Sequence, residues 1–286
     1  MNQIFSGNNP PFKIGNRATN GQWMSESLSY DEAMTMIRGA RIIEAPCCGK
    51  RYSSPNYLSM NFMAWEFWTD GWRRGSLMPN DEGLRHCDCG RYLLLKEMKY
   101  IETVETTDLH SIGHVPDEKL PECIGSATNE DVEIAARLEY WRALNHDYRE
   151  RYRQHRDAEE TATQAKWESQ NPDRRTWWQK FRGHKAPVYK RPPDSPFTYP
   201  EFVPTDEQMR NMKRLNSLLM DRSARGEGMY TFQLAELHRE MGHPYIHAVE
   251  ALLLSDPESK FASETTYDLI LKLAKEGVTA PMRYRM

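Results

Sequence analysis

The sequence predicts an α+β fold: a small antiparallel sheet followed by a helical domain built of α-hairpins. Three observations carry that prediction. Between Ile42 and Val104 apolar residues come in short runs separated by turn residues, with Asp70-Gly71 between two of the runs, as in strands joined by hairpins. From Asn129 onward apolar residues recur every three or four positions behind capping residues, the pattern of amphipathic helices. The texture changes between these regions, and 286 residues suffice for two ordinary domains. The expected organisation is an extended arm at 1–28, a β module at 29–104, a connection at 105–128 and a helical domain at 129–286.

The arm is rich in Asn, Gly, Pro and Ser and reads as an extended segment. Ser29 and Glu32 form a capping box ahead of Ala33, Met34, Met36 and Ile37, which predicts a short helix ending near Arg41. Strands are expected at Ile42-Ile43, 61–68 and 92–100. Asn129 is the N-cap of a long helix whose Ile134, Leu138, Trp141, Asn145, Tyr148 and Tyr152 form one stripe. On its other faces Arg137, Arg142, Arg149, Arg151, Arg153 and Arg156 interleave with Glu130, Glu133, Glu139 and Glu150, predicting a solvated surface with internal ion pairs. Residues 171–204 hold seven prolines and many aromatic and basic residues, an extended, non-helical connector. Thr205 and Gln208 then open a helix through Met209, Met212, Leu215 and Leu219. Further helices are expected at 231–241, stopped by Gly242-His243-Pro244, at 245–254, and at 263–276 before Gly277.

Composition limits function. A 39% hydrophobic fraction with eight Trp and fourteen Tyr supports a sizeable core. The net charge of −3 gives no global field toward nucleic acid or an anionic membrane, so such binding needs a local patch. No window approaches the roughly 18 apolar residues of a membrane span. Met1 to Asn20 lack the order of a signal peptide, and the expected compartment is the cytoplasm.

Four of the five cysteines fall in two tight pairs, Cys47/Cys48 and Cys87/Cys89, which a reducing compartment favours as metal ligands over disulfides. Pro46-Cys47-Cys48-Gly49 and His86-Cys87-Asp88-Cys89-Gly90 both run into a basic residue, as when two glycine-closed turns present ligands to one structural zinc. The spacing departs from C-x-x-C: Ala45 and His86 stand three residues before Cys48 and Cys89. The candidate zinc ligands are therefore Cys47, Cys48, His86, Cys87 and Cys89; the alternative is a degenerate module that keeps its cysteines as core. Cys123 is expected to be a small buried hydrophobe. His110 with His114, and His243 with His247, read as surface residues.

The order Cys48-Gly49, Asn61-Phe62, Trp68-Thr69-Asp70-Gly71, Leu77-Met78-Pro79, Cys89-Gly90 resembles that of an uncharacterised family of bacterial zinc-ribbon proteins. Leu138, Trp141, Asn145 and Arg149 are similar to its helical signature, and residues 234–242 to its helix-glycine segment, which is like a single tetratricopeptide unit. Ala45 and His86 stand where that family has cysteines. The resemblance implies a zinc-ribbon-like sheet, a helical C-terminal part and a bacterial setting, but no activity.

Three functional expectations follow. The first is a non-enzymatic protein-binding or scaffold protein with a protein partner, one version being an inhibitor that neutralises a toxin; it is motivated by the lack of catalytic motifs. The second is nucleic-acid binding through Arg174, Arg175, Trp177, Trp178, Lys180, Arg182 and Lys185. Against it, Trp177 and Trp178 are expected to pin the connector to the core. The third is an enzyme whose site gathers His86, His110, His114 and Asp70.

Overall fold

Residues 36–59, 64–75, 83–190, 198–227, 230–256 and 264–284 are described by the computed structural model, all of them within one compact unit. The extended arm, the Ser29/Glu32 capping box, Asn61-Phe62 and Leu77-Met78-Pro79 lie outside them.

Where a helix is expected over 36–41, the chain runs as a strand. β1 (Met36–Glu44) pairs antiparallel with β2 (Arg51–Ser59) on one side and β7 (Lys99–Val104) on the other. Gly39 has φ +73°, which a helix cannot contain, and a Cβ there would lie 2.2 Å from the Val104 carbonyl oxygen. Pairing along both edges, with Ile42 and Ile43 driven into the core, overrides the local helix signal. Pro55 is accommodated because β2 is an edge strand.

A second sheet has the order β4-β3-β9: β3 (Ala64–Trp68) and β4 (Arg73–Gly75) form the hairpin expected at Asp70-Gly71, and β9 (Arg283–Tyr284) joins the other edge of β3. Gly71, at φ +80°, makes that turn. A third sheet has the order β6-β5-β8, from β5 (Leu84–His86), β6 (Tyr92–Leu94) and β8 (Gly113–His114). The expected connection thus contains a strand and α1 (Leu120–Gly125). Cys123 on α1 is fully buried, as expected, and burial pushes its thiol up to about 11.

α2 (Glu130–Leu144) starts as predicted, with Asn129 Oδ1 accepting from the Val132 amide at 2.9 Å. Its Val132 and Ala136 pack with Leu84, Tyr92, Leu94 and Cys123, while Ile134 and Trp141 pack with Met212, Leu215, Leu219 and Leu237. One helix therefore serves the sheets and the helical part together. α3 (His146–Gln170) follows after Asn145 and buries Tyr148 and Tyr152 against Trp68, Leu273 and Val278. The ion pairs Arg137–Glu133, Arg142–Glu139 and Arg153–Glu150 form as expected. Arg149 departs from that reading, being buried beneath the helix.

Among its described residues the connector, expected to be non-helical, contains one helical turn, α4 (Trp177–Phe181). α5 (Asp206–Ala224), α6 (Thr231–Met241), α7 (Val249–Leu254) and α8 (Glu264–Lys275) then follow. Thr205 and Gln208 cap α5 reciprocally, at 3.2 and 2.8 Å. The 3-10 turn Tyr245–Ala248 leads into α7. Leu215, Leu219, Leu237, Leu253 and Ile270 are fully buried, each side chain contributing about 1.5–3 kcal/mol of transfer free energy. Among the described residues no helix is long and apolar enough to cross a membrane.

Candidate metal centre

Two turns face one another at the ends of the first and third sheets. In the first, the Ala45 amide donates to the Lys50 carbonyl at 2.9 Å and the Gly49 amide returns to the Ala45 carbonyl at 2.9 Å. In the second, the Cys87 amide donates to the Arg91 carbonyl at 2.8 Å and the Gly90 amide to the Cys87 carbonyl at 2.8 Å. Gly49 and Gly90 close them at φ +71° and +86°, a conformation that favours glycine.

The first turn is one residue longer between its anchor and its glycine. Ala45, at the anchor, is buried core; Cys47 and Cys48 both lie on the enlarged loop. In the second turn the anchor is itself a ligand-type residue, Cys87, and Cys89 is its mate. The departure from C-x-x-C is thus met by an extra residue in the loop. The sulfurs of Cys47, Cys48, Cys87 and Cys89 all lie within 4.8 Å of one another. Cys47 and Cys89 are 3.4 Å apart, Cys48 and Cys87 3.5 Å, and Cys47 and Cys48 3.9 Å. These four thiols can hold a metal ion.

The structure does not bring His86 to this group. It is the last residue of β5, one position before the anchor, so its side chain projects to the opposite face from Cys87. There it stacks on its cross-strand partner Tyr92, with centroids 4.9 Å apart.

Polar groups around Cys87 favour negative charge on that sulfur, whereas Cys47 and Cys48 are shifted upward. Burial opposes ionisation of Cys87, but bonds from the Cys89 amide, the Tyr52 hydroxyl and the neighbouring thiols outweigh it and lower the thiol to about 7. The Tyr52 oxygen accepts from the Asp88 amide at 3.0 Å, leaving its proton for the Cys87 sulfur at 3.2 Å. Burial pushes Cys47 up, with the other thiols adding to the effect. Asp88 pairs with Lys50 and with His110 Nε2 at 3.1 Å, and the Lys50 ammonium holds its carboxyl below the usual range. Sequence reasoning misses Tyr52, Asp88 and His110 as parts of a metal site; the only cue is Asp88 lying between two cysteines and Lys50 following Gly49.

Behind the sheets is a second cluster, wholly buried. The Asp70 Oδ2 atom accepts from Arg149 at 2.5 Å and from the Asn145 side-chain amide at 3.1 Å, and its Oδ1 accepts from the Trp72 backbone at 2.9 Å. Asn145 and Trp141 also donate to Glu240 Oε2, at 3.1 and 2.8 Å, while Gln208 donates to Asn145 Oδ1 at 3.1 Å. Beside it Arg239 pairs with Glu236 and reaches Thr69 Oγ1 at 3.3 Å. Within this cluster the carboxylates of Asp70, Glu236 and Glu240 thus meet the guanidinium groups of Arg149 and Arg239. Burial, with Glu236 and Asp70 adding, raises Glu240 well above the usual carboxylate range. A proton on Glu240 makes the cluster neutral. Trp141, Asn145 and Arg149 therefore join the β3–β4 turn to α6.

Of the expected enzyme residues, Asp70 goes to this interior, His86 stacks on Tyr92, His110 pairs with Asp88, and His114 lies exposed on β8 opposite Arg85. Trp177 and Trp178 do not pin the connector. Tyr189 does so instead, against Trp167 at 5.9 Å, together with Phe202 against Tyr148 at 5.1 Å. Arg174, Arg175, Lys180, Arg182 and Lys185 surround the exposed turn α4.

No family model matches the chain, and no curated protein or solved structure is detectably similar to it.

Proposed function

We propose that this is a non-enzymatic binding protein whose ribbon-like sheets are held by one structural zinc ion and which acts by presenting its surface to a protein partner. The observation that supports this reading is the group of four sulfurs contributed by two facing turns. A tetrahedral zinc with Zn–S of about 2.3 Å has sulfur–sulfur edges of about 3.8 Å, and three of the separations here are 3.4, 3.5 and 3.9 Å. Cys47, Cys48, Cys87 and Cys89 would hold the ion.

An all-thiolate set suits zinc, and four protein ligands leave no open position for water or substrate, so the ion's contribution is to folding. The hydrophobic cluster around the turns is small: Ile43, Ala45, Tyr52, Cys87, Leu93, Met98 and Ile112. Ligation would tie the first and third sheets where that core is thinnest. Asp70 is engaged by Arg149, His86 by Tyr92 and His110 by Asp88, which favours binding over catalysis.

The test is a native mass spectrum of the full chain recovered gently from its host cells. One zinc ion together with a second polypeptide is the expected result. A metal-free monomer overturns the reading.

A further inference from the structure

Among the described residues the turn α4 and its flanks expose an unusual cluster of rings. Trp177, Trp178 and Phe181 are 65, 62 and 74% exposed, a cluster of large rings that the core does not use. They pack on one another: Trp177 stacks on Phe181 at 5.7 Å, and Trp178 meets Trp177 edge-on at 4.5 Å. Residues 173–184 are closed by their own bonds. Asp173 accepts from the Arg175 backbone at 3.0 Å and from its guanidinium at 2.8 Å, while Arg175 also binds the His184 carbonyl. Thr176 and Gln179 cap the turn reciprocally, at 3.3 and 2.9 Å. The rings are thus held outward by a small prefolded element, anchored beyond its end by Tyr189 on Trp167.

Charge is segregated in the same place. Residues 171–190 contain six Lys and Arg against the single carboxylate of Asp173, a charge of +5; the whole chain carries −3, which leaves −8 elsewhere. Asp173 neutralises Arg175 and Lys180 in part. Arg174, Arg182 and Lys185 have no ion-pair partner among the described residues.

We infer that this element binds single-stranded nucleic acid, with Arg174, Arg182 and Lys185 on phosphates and Trp177, Trp178 and Phe181 as a stacking platform for bases. A nucleotide strand alternates one negative charge with one flat ring, and the run from Arg174 to Lys185 alternates cations with rings in the same way. An acidic protein surface matches the cations but offers few flat faces for three rings. In a duplex the bases already stack on each other, so a single strand is the better match. The inference is independent of the metal: it rests on the exposed rings and local charge.

The test is fluorescence anisotropy of labelled mixed-sequence DNA and RNA single strands titrated with the full chain at several salt concentrations. Binding should weaken steeply with salt. Trp177→Ala should lose about 5- to 150-fold in affinity, from the ~1–3 kcal/mol of one stacked base. Arg182→Ala with Lys185→Ala should lower the slope of log K against log salt by about 1.4, at ~0.7 per cation. Circular dichroism should be unchanged for these exposed positions. Absence of binding at low salt overturns the inference, and so does binding that the variants leave intact. Equal competition by polyglutamate would overturn it in favour of an acidic protein surface, and capture by phosphatidylserine vesicles without strand binding in favour of a lipid surface.

Discussion

Replacing Arg149 with methionine should destabilise the protein by about 3–5 kcal/mol, the range for removing one member of a buried ion pair. The guanidinium is 1% exposed, binds Asp70 Oδ2 at 2.5 Å and the Arg142 carbonyl, and lies 4.7 Å from the centroid of Trp72. Methionine keeps much of the aliphatic volume but returns no charge. Asp70 would then hold a buried carboxylate on the Asn145 amide and the Trp72 backbone alone, with Glu240 on the far side of the same amide. At about 1.4 kcal/mol per tenfold, the folding constant falls roughly 150- to 5000-fold. Urea unfolding followed by tryptophan fluorescence measures the loss, using the parent, Arg149→Met, Asp70→Asn and the double variant. The double variant should lose at least about 2 kcal/mol less than the sum of the singles, because the second change removes the group stranded by the first. A loss below about 1 kcal/mol for Arg149→Met, or simple additivity, would refute the reasoning.

Glu240→Gln tests the proton on the buried cluster. Because burial raises Glu240, the folded state holds that proton more tightly than the unfolded chain; its stabilisation is full below the ordinary carboxylate pKa and is lost as pH rises through the raised value. The glutamine variant should therefore lose less stability than the parent over that rise, and parallel unfolding midpoints across pH would contradict the protonated assignment. Cys48→Ser should abolish stoichiometric zinc by elemental analysis, whereas His86→Ala should leave it unchanged; the reverse pattern would restore the histidine as a ligand. Gly39→Ala should destabilise by more than about 2 kcal/mol, combining a left-handed backbone cost of ~1–2 kcal/mol with the contact at Val104. Gly49→Ala, with φ +71° but nothing within 4 Å, should show the backbone cost alone in the same melts.

Helices are legible where caps and apolar period agree. Asn129, Thr205, Gln208 and Gly277 lie at the expected boundaries because their signals are local. β1 reads as a helix in the sequence since the pairing that makes Met36–Glu44 a strand comes from residues 51–59 and 99–104, which local sequence does not display. The cysteines of the candidate site are legible by type, but His86 is separated from them by strand alternation, a consequence of register. Asp70 looks like a turn residue, and it is one. Its burial against Arg149, 79 positions away, follows from the packing of α3 on the second sheet. The aromatic run at Trp177 misleads in the opposite sense, since large rings usually go inward and only the self-closed turn shows why these do not.

The pairing of β9 with β3 bears on how the protein is made. Thr69 binds Met282 through both its backbone and its hydroxyl, across 213 positions. At about 5–20 residues per second of synthesis, roughly ten to forty seconds separate the emergence of these two partners from the ribosome. Through that interval Trp68 and the free edge of β3 await their cover, while the turns bearing the four thiols, only 42 positions from Cys47 to Cys89, are complete much earlier. Capture of a metal ion by these thiols during translation would give the nascent chain a fixed point well before the β3 edge is covered.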